Sequence, residues 1–275
     1  MAKSDIKWQC RIAPSLGDGF AGTPNEVWGT VEYTDLNEPC VFFGMYGMKD
    51  VEALIEHRGE AAILWAGSDI THLVNGYWLD ETGDKRLERV PPIFDSCDHY
   101  VENWVEQRML KRNGIEAKII PSFLGNIDDY ELQEQPERQQ YYTSVSGDNF
   151  ELYGWHKVNN LAEKNPEVEF HLYGNKDPWL RHHVNIFVHG RVSQEQMNEE
   201  TSKMTGALRL TQFDGFSEIL AKSILWGQWP VSPYIHYPHM DADIMKHKGV
   251  NTEGRDYYRK ILNSFPWNEN NKTTQ

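Results

Sequence analysis

Short apolar runs that stop at a glycine or small-residue turn, each followed by a segment of helical spacing, recur along most of this chain. "PCVFFGMYG" (39–47) reads as a buried strand and "DVEALIEHRG" (50–59) as a helix with a glycine stop. "AAILWAGSD" (61–69) is a second strand and turn, "HYVENWVEQRMLKRNG" (99–114) a helix, and "IEAKIIPSF" (115–123) a strand. Apolar strands alternating with helices predict parallel sheets covered on both faces, an α/β layer architecture. The helix over 99–114 has basic residues in its last turn and Gly114 as its stop, the polarity a helix dipole favours.

Residues 126–141, "NIDDYELQEQPERQQY", are polar, acidic and without an apolar period, which reads as a linker. Beyond it the alternation restarts. "YYTSVSGD", "VEFHLYGN" and "VNIFVHGRV" read as strands, with a helix over "GWHKVNNLAEKNP" between the first two. "SQEQMNEETSKM" is a helix with Ser193 at its N-cap and Gln196 at the capping-box position. The chain thus divides into an N-terminal Rossmann-like domain over 1–130, a C-terminal one over 142–250, and a closing segment over 251–275. The helix "GRDYYRKILNSF" in that segment is expected to pack back across both domains, carried by Tyr257, Tyr258, Ile261, Leu262 and Phe265. Two such domains joined by a linker face each other across a cleft, and ligands of parallel sheets bind beyond the carboxyl ends of the strands. Most of the glycine turns fall at those ends.

Composition narrows the partners. Hydrophobic residues make up 39% of the 275, enough for two cores, and no apolar run approaches a membrane span. The first ten residues lack the apolar core of a signal peptide, and Cys10, Cys40 and Cys97 are scattered, so free thiols in a cytoplasmic protein are expected. A net charge of −14 disfavours broad binding to a phosphate backbone, which leaves nucleic acid a place only as an acceptor.

The chemistry concentrates in "RLTQFDGFSEILAKSILWGQWPVS" (209–232), which places Arg209, Thr211, Asp214, Ser217, Glu218 and Lys222 around one glycine turn. The turn at Asp214-Gly215 opens backbone N–H groups at the start of a helix, which suits a diphosphate. Ser217 adds a hydroxyl, Arg209 and Lys222 neutralise charge on a leaving phosphate, and Asp214 suits a sugar hydroxyl. A plain solvated helix start explains one or two of these residues but not the set.

The segments over 151–232, with "HGRVSQEQM" and "LRLTQFDGFSEILAKS", resemble the GT-B glycosyltransferases, in particular the large retaining family also called group 1 or family 4-like. "ILWAGSDIT" is similar to the turn these enzymes place at their cleft, and the resemblance extends over roughly 39–232. It implies two Rossmann-like domains and a donor site built from Gly147, Gly174, Arg191, Thr211, Asp214, Gly215, Phe216, Ser217 and Glu218. It also implies a role at the cleft for Asp69, which joins Arg209 and Lys222, placed by their charge, as the catalytic candidates, and an acceptor side at the glycine turns of Gly17, Gly19, Gly44, Gly67 and Ser68.

The chain departs from the family at Lys222, where a ribose-holding glutamate is usual, and Glu218, one helical turn earlier, is the candidate substitute. It departs again at Ala66, where relatives often carry a histidine, and in "SGDNFELYGW", which lacks the usual arginine and lysine. His72 and His99 lie near strand ends and are more often structural there. "DAD" (241–243) and the pair His236 and His239 match metal motifs only loosely, so no metal is expected.

The expectation is therefore an enzyme that moves a sugar from a nucleoside diphosphate donor such as a UDP- or GDP-sugar to an acceptor hydroxyl, with no other cofactor. By the resemblance it retains configuration without a metal. A small molecule, a glycan or a hydroxylated DNA base all suit as acceptor. The rival is a sugar-nucleotide-binding module without catalysis, motivated by Lys222 and Ala66.

Overall fold

A computed structural model of the chain describes residues 7–17, 23–75, 91–145, 148–174, 177–211, 214–232 and 238–268. It divides into two compact units, one from Met1–Gly125 with Ile261–Gln275, the other from Asn126–Lys260.

The first unit holds a six-stranded sheet built from β1 (Gln9–Ile12), β2 (Val31–Glu32), β3 (Cys40–Phe43), β4 (Ala61–Leu64), β5 (Asp98–Val101) and β6 (Lys118–Ile119). Its order is β2-β1-β3-β4-β5-β6 and every pairing is parallel, with Cys40 opposite both Gln9 and Ala61. Helices α1 (Thr23–Val27), α2 (Met48–Glu56), α3 (Ser68–Asn75) and α4 (Trp104–Arg112) follow the strands. Alternation along the strands sends side chains to opposite faces. Phe42 and Ile63 join Val51, Leu54, Ile70 and Leu110 on one face, which buries the helices. Val41, Phe43, Ala62 and Leu64 join Trp28, Tyr100, Phe265 and Trp267 on the other.

That second face is closed by the end of the chain. Phe265 and Trp267 stack at 4.6 Å, Trp267 meets Tyr100 edge-on at 5.1 Å, and Phe265 meets Trp28 at 5.4 Å. Asn263 fixes the approach: its side chain accepts from Phe123 N and donates to Phe123 O, both at 2.7 Å. Asn263 sits at φ 53°, a region Asn tolerates better than most residues.

The second unit holds a four-stranded parallel sheet of β7 (Gln140–Ser144), β8 (Glu169–Tyr173), β9 (Ile186–Gly190) and β10 (Gly206–Ala207), in the order β10-β7-β8-β9. Its helices are α5 (Trp155–Lys164), α6 (Gln194–Thr201), α7 (Glu218–Leu225) and α8 (Thr252–Ile261), the last of which ends as the chain passes into the first unit.

Two local readings are corrected. Residues 98–101 form β5 rather than the start of a helix; Asn103 caps α4 by accepting from Val105 N and Glu106 N, both at 3.0 Å. The stretch read as a linker is docked on the second unit: Gln133 N donates to Trp226 O at 3.0 Å, Arg255 donates to Tyr130 O at 2.9 Å, and β7 begins at Gln140. In α6, Ser193 accepts from Gln196 N, while the Gln196 side chain turns to Glu200, so half of the capping box forms.

Truncating Phe265 opens a cavity in the second face of the first sheet. Phe265→Ala should cost about 3–5 kcal/mol, read by denaturant unfolding, while truncation of the exposed Ile55 should stay within about 0.5 kcal/mol. Equal, small losses in both variants would mean that the terminal segment does not support the sheet.

Candidate functional site

In the second unit the carboxyl ends of the strands are drawn together by close backbone approach. Gly174, just beyond β8, has φ 94° and donates its N–H to Gly190 O at 2.8 Å. A Cβ there would lie 2.2 Å from Val145 O, so no other residue fits without moving the end of β7. Gly154, which starts α5 at φ 70°, is equally pressed: a Cβ would lie 2.6 Å from Leu210 O. The first turn of α5 is thereby held against the segment that follows β10, and Lys157 tightens the contact by donating Nζ to Leu210 O at 2.8 Å.

This approach puts Tyr153 beside Arg209. The guanidinium carbon lies 4.4 Å from the ring centroid, and Arg209 Nε donates to Asp214 Oδ2 in a short ion pair. The two side chains of the pair are only 13% and 30% exposed, so the charges meet in partial shelter from water. Asp214 and Gly215 then lead into α7. Phe216 is buried and stacks on Tyr258 at 5.3 Å, which fastens the turn to α8. Thr211 is buried at the start of the same loop. Ser217 stands at the N-cap of α7 without using its hydroxyl to cap. Glu218 lies in the first helical turn and Lys222 in the next. Lys222 is half-buried, donates to Asn198 Oδ1 at 3.4 Å, and has its pKa lowered by burial against the opposing pull of Glu218. Arg191 is exposed directly after β9.

Below these ends, β8 and β9 carry a polar tier facing α6. His171 Nδ1 and His189 Nε2 share a hydrogen bond at 2.9 Å, His189 Nδ1 lies 3.4 Å from Glu200 Oε2, and Tyr173 donates to Glu200 at 2.6 Å. Burial, then the neighbouring His189, pushes His171 down to about 4.

In the first unit Asp69 is fully buried at the start of α3. Its oxygens accept from Met45 N at 2.9 Å, from Ala66 N at 3.1 Å and from Ile70 N at 2.8 Å. Burial raises its pKa to about 6 against those donors. In this geometry Asp69 braces the turns after β3 and β4. Those turns carry Gly44 and the pair Gly67 and Ser68; the Ser68 hydroxyl meets Tyr46 Oη at 3.1 Å, and Gly17 ends a short turn after β1. Gly19 and Gly147 lie outside the described residues. His99 is a core residue, accepting from Trp65 Nε1 at 3.2 Å and meeting Phe94 O at 2.9 Å.

The structure thus brings Arg209 and Asp214 into contact, with Ser217, Glu218 and Lys222 on the adjoining helix and Gly174 and Arg191 at neighbouring strand ends. Sequence reasoning missed Tyr153 and Lys157, whose nearest signal was the glycine at 154 opening a helix. Asp241 is buried beside Val231 and pairs with His247 Nδ1 at 2.6 Å. Among the described residues no group of three candidate ligands exists, and His236 lies outside them. A cavity of about 590 Å³ lined by Arg138, Glu167, Thr205 and His247 lies at the amino ends of β7, β8 and β10, away from this cluster.

Because His171 takes up a proton more readily unfolded than folded, its contribution is complete above about pH 6.5 and is lost as pH falls to about 4. That fall corresponds to about 3 kcal/mol. Denaturant titrations of His171→Phe should show a weaker acid destabilisation over this window than the parent protein. An unchanged slope would assign the acid sensitivity elsewhere.

No family model and no curated protein matches the sequence. Solved structures do match its fold. TarM from S. aureus superposes with a TM-score of 0.50 at 14% identity, over 82% of this chain and 48% of that one. A sucrose-phosphate synthase from Thermosynechococcus elongatus gives 0.49 at 10% identity, over 70% and 55%. The pneumococcal O-GlcNAc transferase GtfA, in complex with UDP and GlcNAc, gives 0.46 at 15%, over 81% and 49%. The chain spans about half the length of these proteins. Two units with parallel Rossmann-like sheets and the likeness to TarM give this chain the fold of the GT-B glycosyltransferases.

Proposed function

We propose that the protein transfers a sugar from a nucleoside diphosphate donor to an acceptor hydroxyl, with retention and without a metal. The observation that carries this reading is the meeting of Arg209 and Asp214 at the carboxyl end of the second sheet, next to the start of α7. A guanidinium and a helix N-terminus suit the charge of a diphosphate, while a carboxylate beside them suits a sugar hydroxyl. TarM, which shares the fold, has been solved as a variant in complex with UDP and alpha-GlcNAc-glycerol, in keeping with such a donor.

In this mechanism Arg209 and Lys222 stabilise the diphosphate as the glycosidic bond breaks and negative charge gathers on the leaving oxygen. Lys222 suits the role because its ammonium is partly desolvated, which strengthens its attraction for a nearby anion. Arg191, exposed at the end of β9, makes a further phosphate or base contact. Asp214 orients the sugar, and Glu218 takes the ribose hydroxyls in place of the glutamate that Lys222 replaces. Asp69 acts by holding the turns of Gly44, Gly67 and Ser68, where the acceptor binds, rather than by touching the reacting atoms. No cofactor beyond the donor is required. A small molecule, a glycan or a hydroxylated DNA base fits as acceptor; no helix among the described residues is long and apolar enough to cross a membrane.

A panel of UDP- and GDP-sugars should contain one that raises the melting temperature. With that donor, Arg209→Ala and Lys222→Ala should each cost about 2–4 kcal/mol of transition-state stabilisation in turnover assays, with smaller effects on stability. Wild-type kinetics in both variants would remove them from the mechanism. Donor binding without release of nucleoside diphosphate, across acceptors, would instead establish a binding module, the reading that Ala66 and Lys222 favour.

Activity should also survive EDTA. Complete loss restored by Mn²⁺ or Mg²⁺ would overturn the metal-free mechanism.

A further inference from the structure

The connection from β7 to α5 contributes no cation: its described residues, Asp148 to Tyr153, include two acids and neither lysine nor arginine. The guanidinium that reaches this turn comes from Arg209, on the other side of the Gly154–Leu210 approach, and it comes to rest on the ring of Tyr153 at 4.4 Å. A ring face attracts a cation without using any of its N–H groups. Of the five N–H groups of the guanidinium, the one on Nε is taken by Asp214. Among the described residues the two terminal nitrogens of Arg209 have no hydrogen-bond partner, although the side chain is only 13% exposed. Seated on a ring at one face and tied to a carboxylate at Nε, the guanidinium has one remaining use for its four terminal N–H groups. They form a planar fork suited to an anion with two acceptor oxygens.

We propose that Tyr153 is a positioning residue for nucleotide binding, seating Arg209 so that one guanidinium holds Asp214 at Nε and the donor's diphosphate at its terminal nitrogens. This rests on the function proposed above and adds to it a residue that acts only through Arg209. The same guanidinium then fixes the distance between diphosphate and sugar-binding carboxylate, because both are bound to one rigid plane. The hydroxyl of Tyr153 has no part in this arrangement, so phenylalanine should serve as well.

The test is a double-mutant cycle read by calorimetric binding of UDP and GDP to the full chain, with melting temperatures measured alongside. Tyr153→Phe should bind the better nucleotide as the parent does. Tyr153→Leu should bind it about tenfold more weakly with a melting temperature close to the parent's. In the Arg209→Ala background Tyr153→Leu should have no further effect, since its only route to the nucleotide is gone. Full loss that adds to that of Arg209→Ala, or parent-like binding by Tyr153→Leu, overturns the inference while leaving the donor-site reading in place. Failure of the parent to bind either nucleotide overturns both.

Discussion

A parallel sheet has no face that can be left to water, and the first unit meets this demand with residues far apart in sequence. Its central strands are buried on both sides, yet the helices that follow them cover only one. The other side is covered by Trp28 from near the start of the chain and by Phe265 and Trp267 from near its end. Without those rings Val41, Phe43 and Leu64 would face solvent. The paired hydrogen bonds between Asn263 and Phe123 make the covering specific, since they dictate where the returning chain crosses the unit.

In the second unit the comparable constraint is the absence of side chains. Gly174 and Gly154 permit backbone contacts that a single methyl group would abolish, and those contacts set the spacing of the strand ends. Everything proposed about chemistry depends on this spacing. Arg209 reaches Tyr153 only because α5 begins against Leu210, and Asp214 reaches Arg209 only because the turn after Thr211 folds back toward it. Phe216, placed at the donor by the resemblance, stacks on Tyr258, where it holds the loop in shape.

Much of this was legible in the sequence. The strands at 40–43 and 61–64 announce themselves as apolar runs that lead to a glycine, because burial on both faces leaves no room for polar alternation, whereas 169–173 alternates Glu169 and His171 with the buried Phe170 and Leu172. The run "HYVENWV" misled because Tyr100, Val101, Trp104 and Val105 mimic a helical stripe across what is a strand, a cap and a helix; Asn103 was the signal that the stripe is broken there. Asp69 reads as a catalytic candidate next to a glycine turn, and only the fold shows its oxygens accepting from backbone N–H groups. Tyr153 could not be found from spacing at all: its partner is 56 positions away and the interaction is with the face of a ring, which leaves no motif.

The split of the first unit between the two ends of the sequence has a consequence for biosynthesis. Residues 126–260, by contrast, form the second unit as one continuous stretch. The strands that precede them have Trp28 on their second face but lack Phe265 and Trp267 until the second unit has been made. Synthesis from the amino end ordinarily favours the first domain; here the cluster of Val41, Phe43 and Leu64 is completed only by residues made after the second unit.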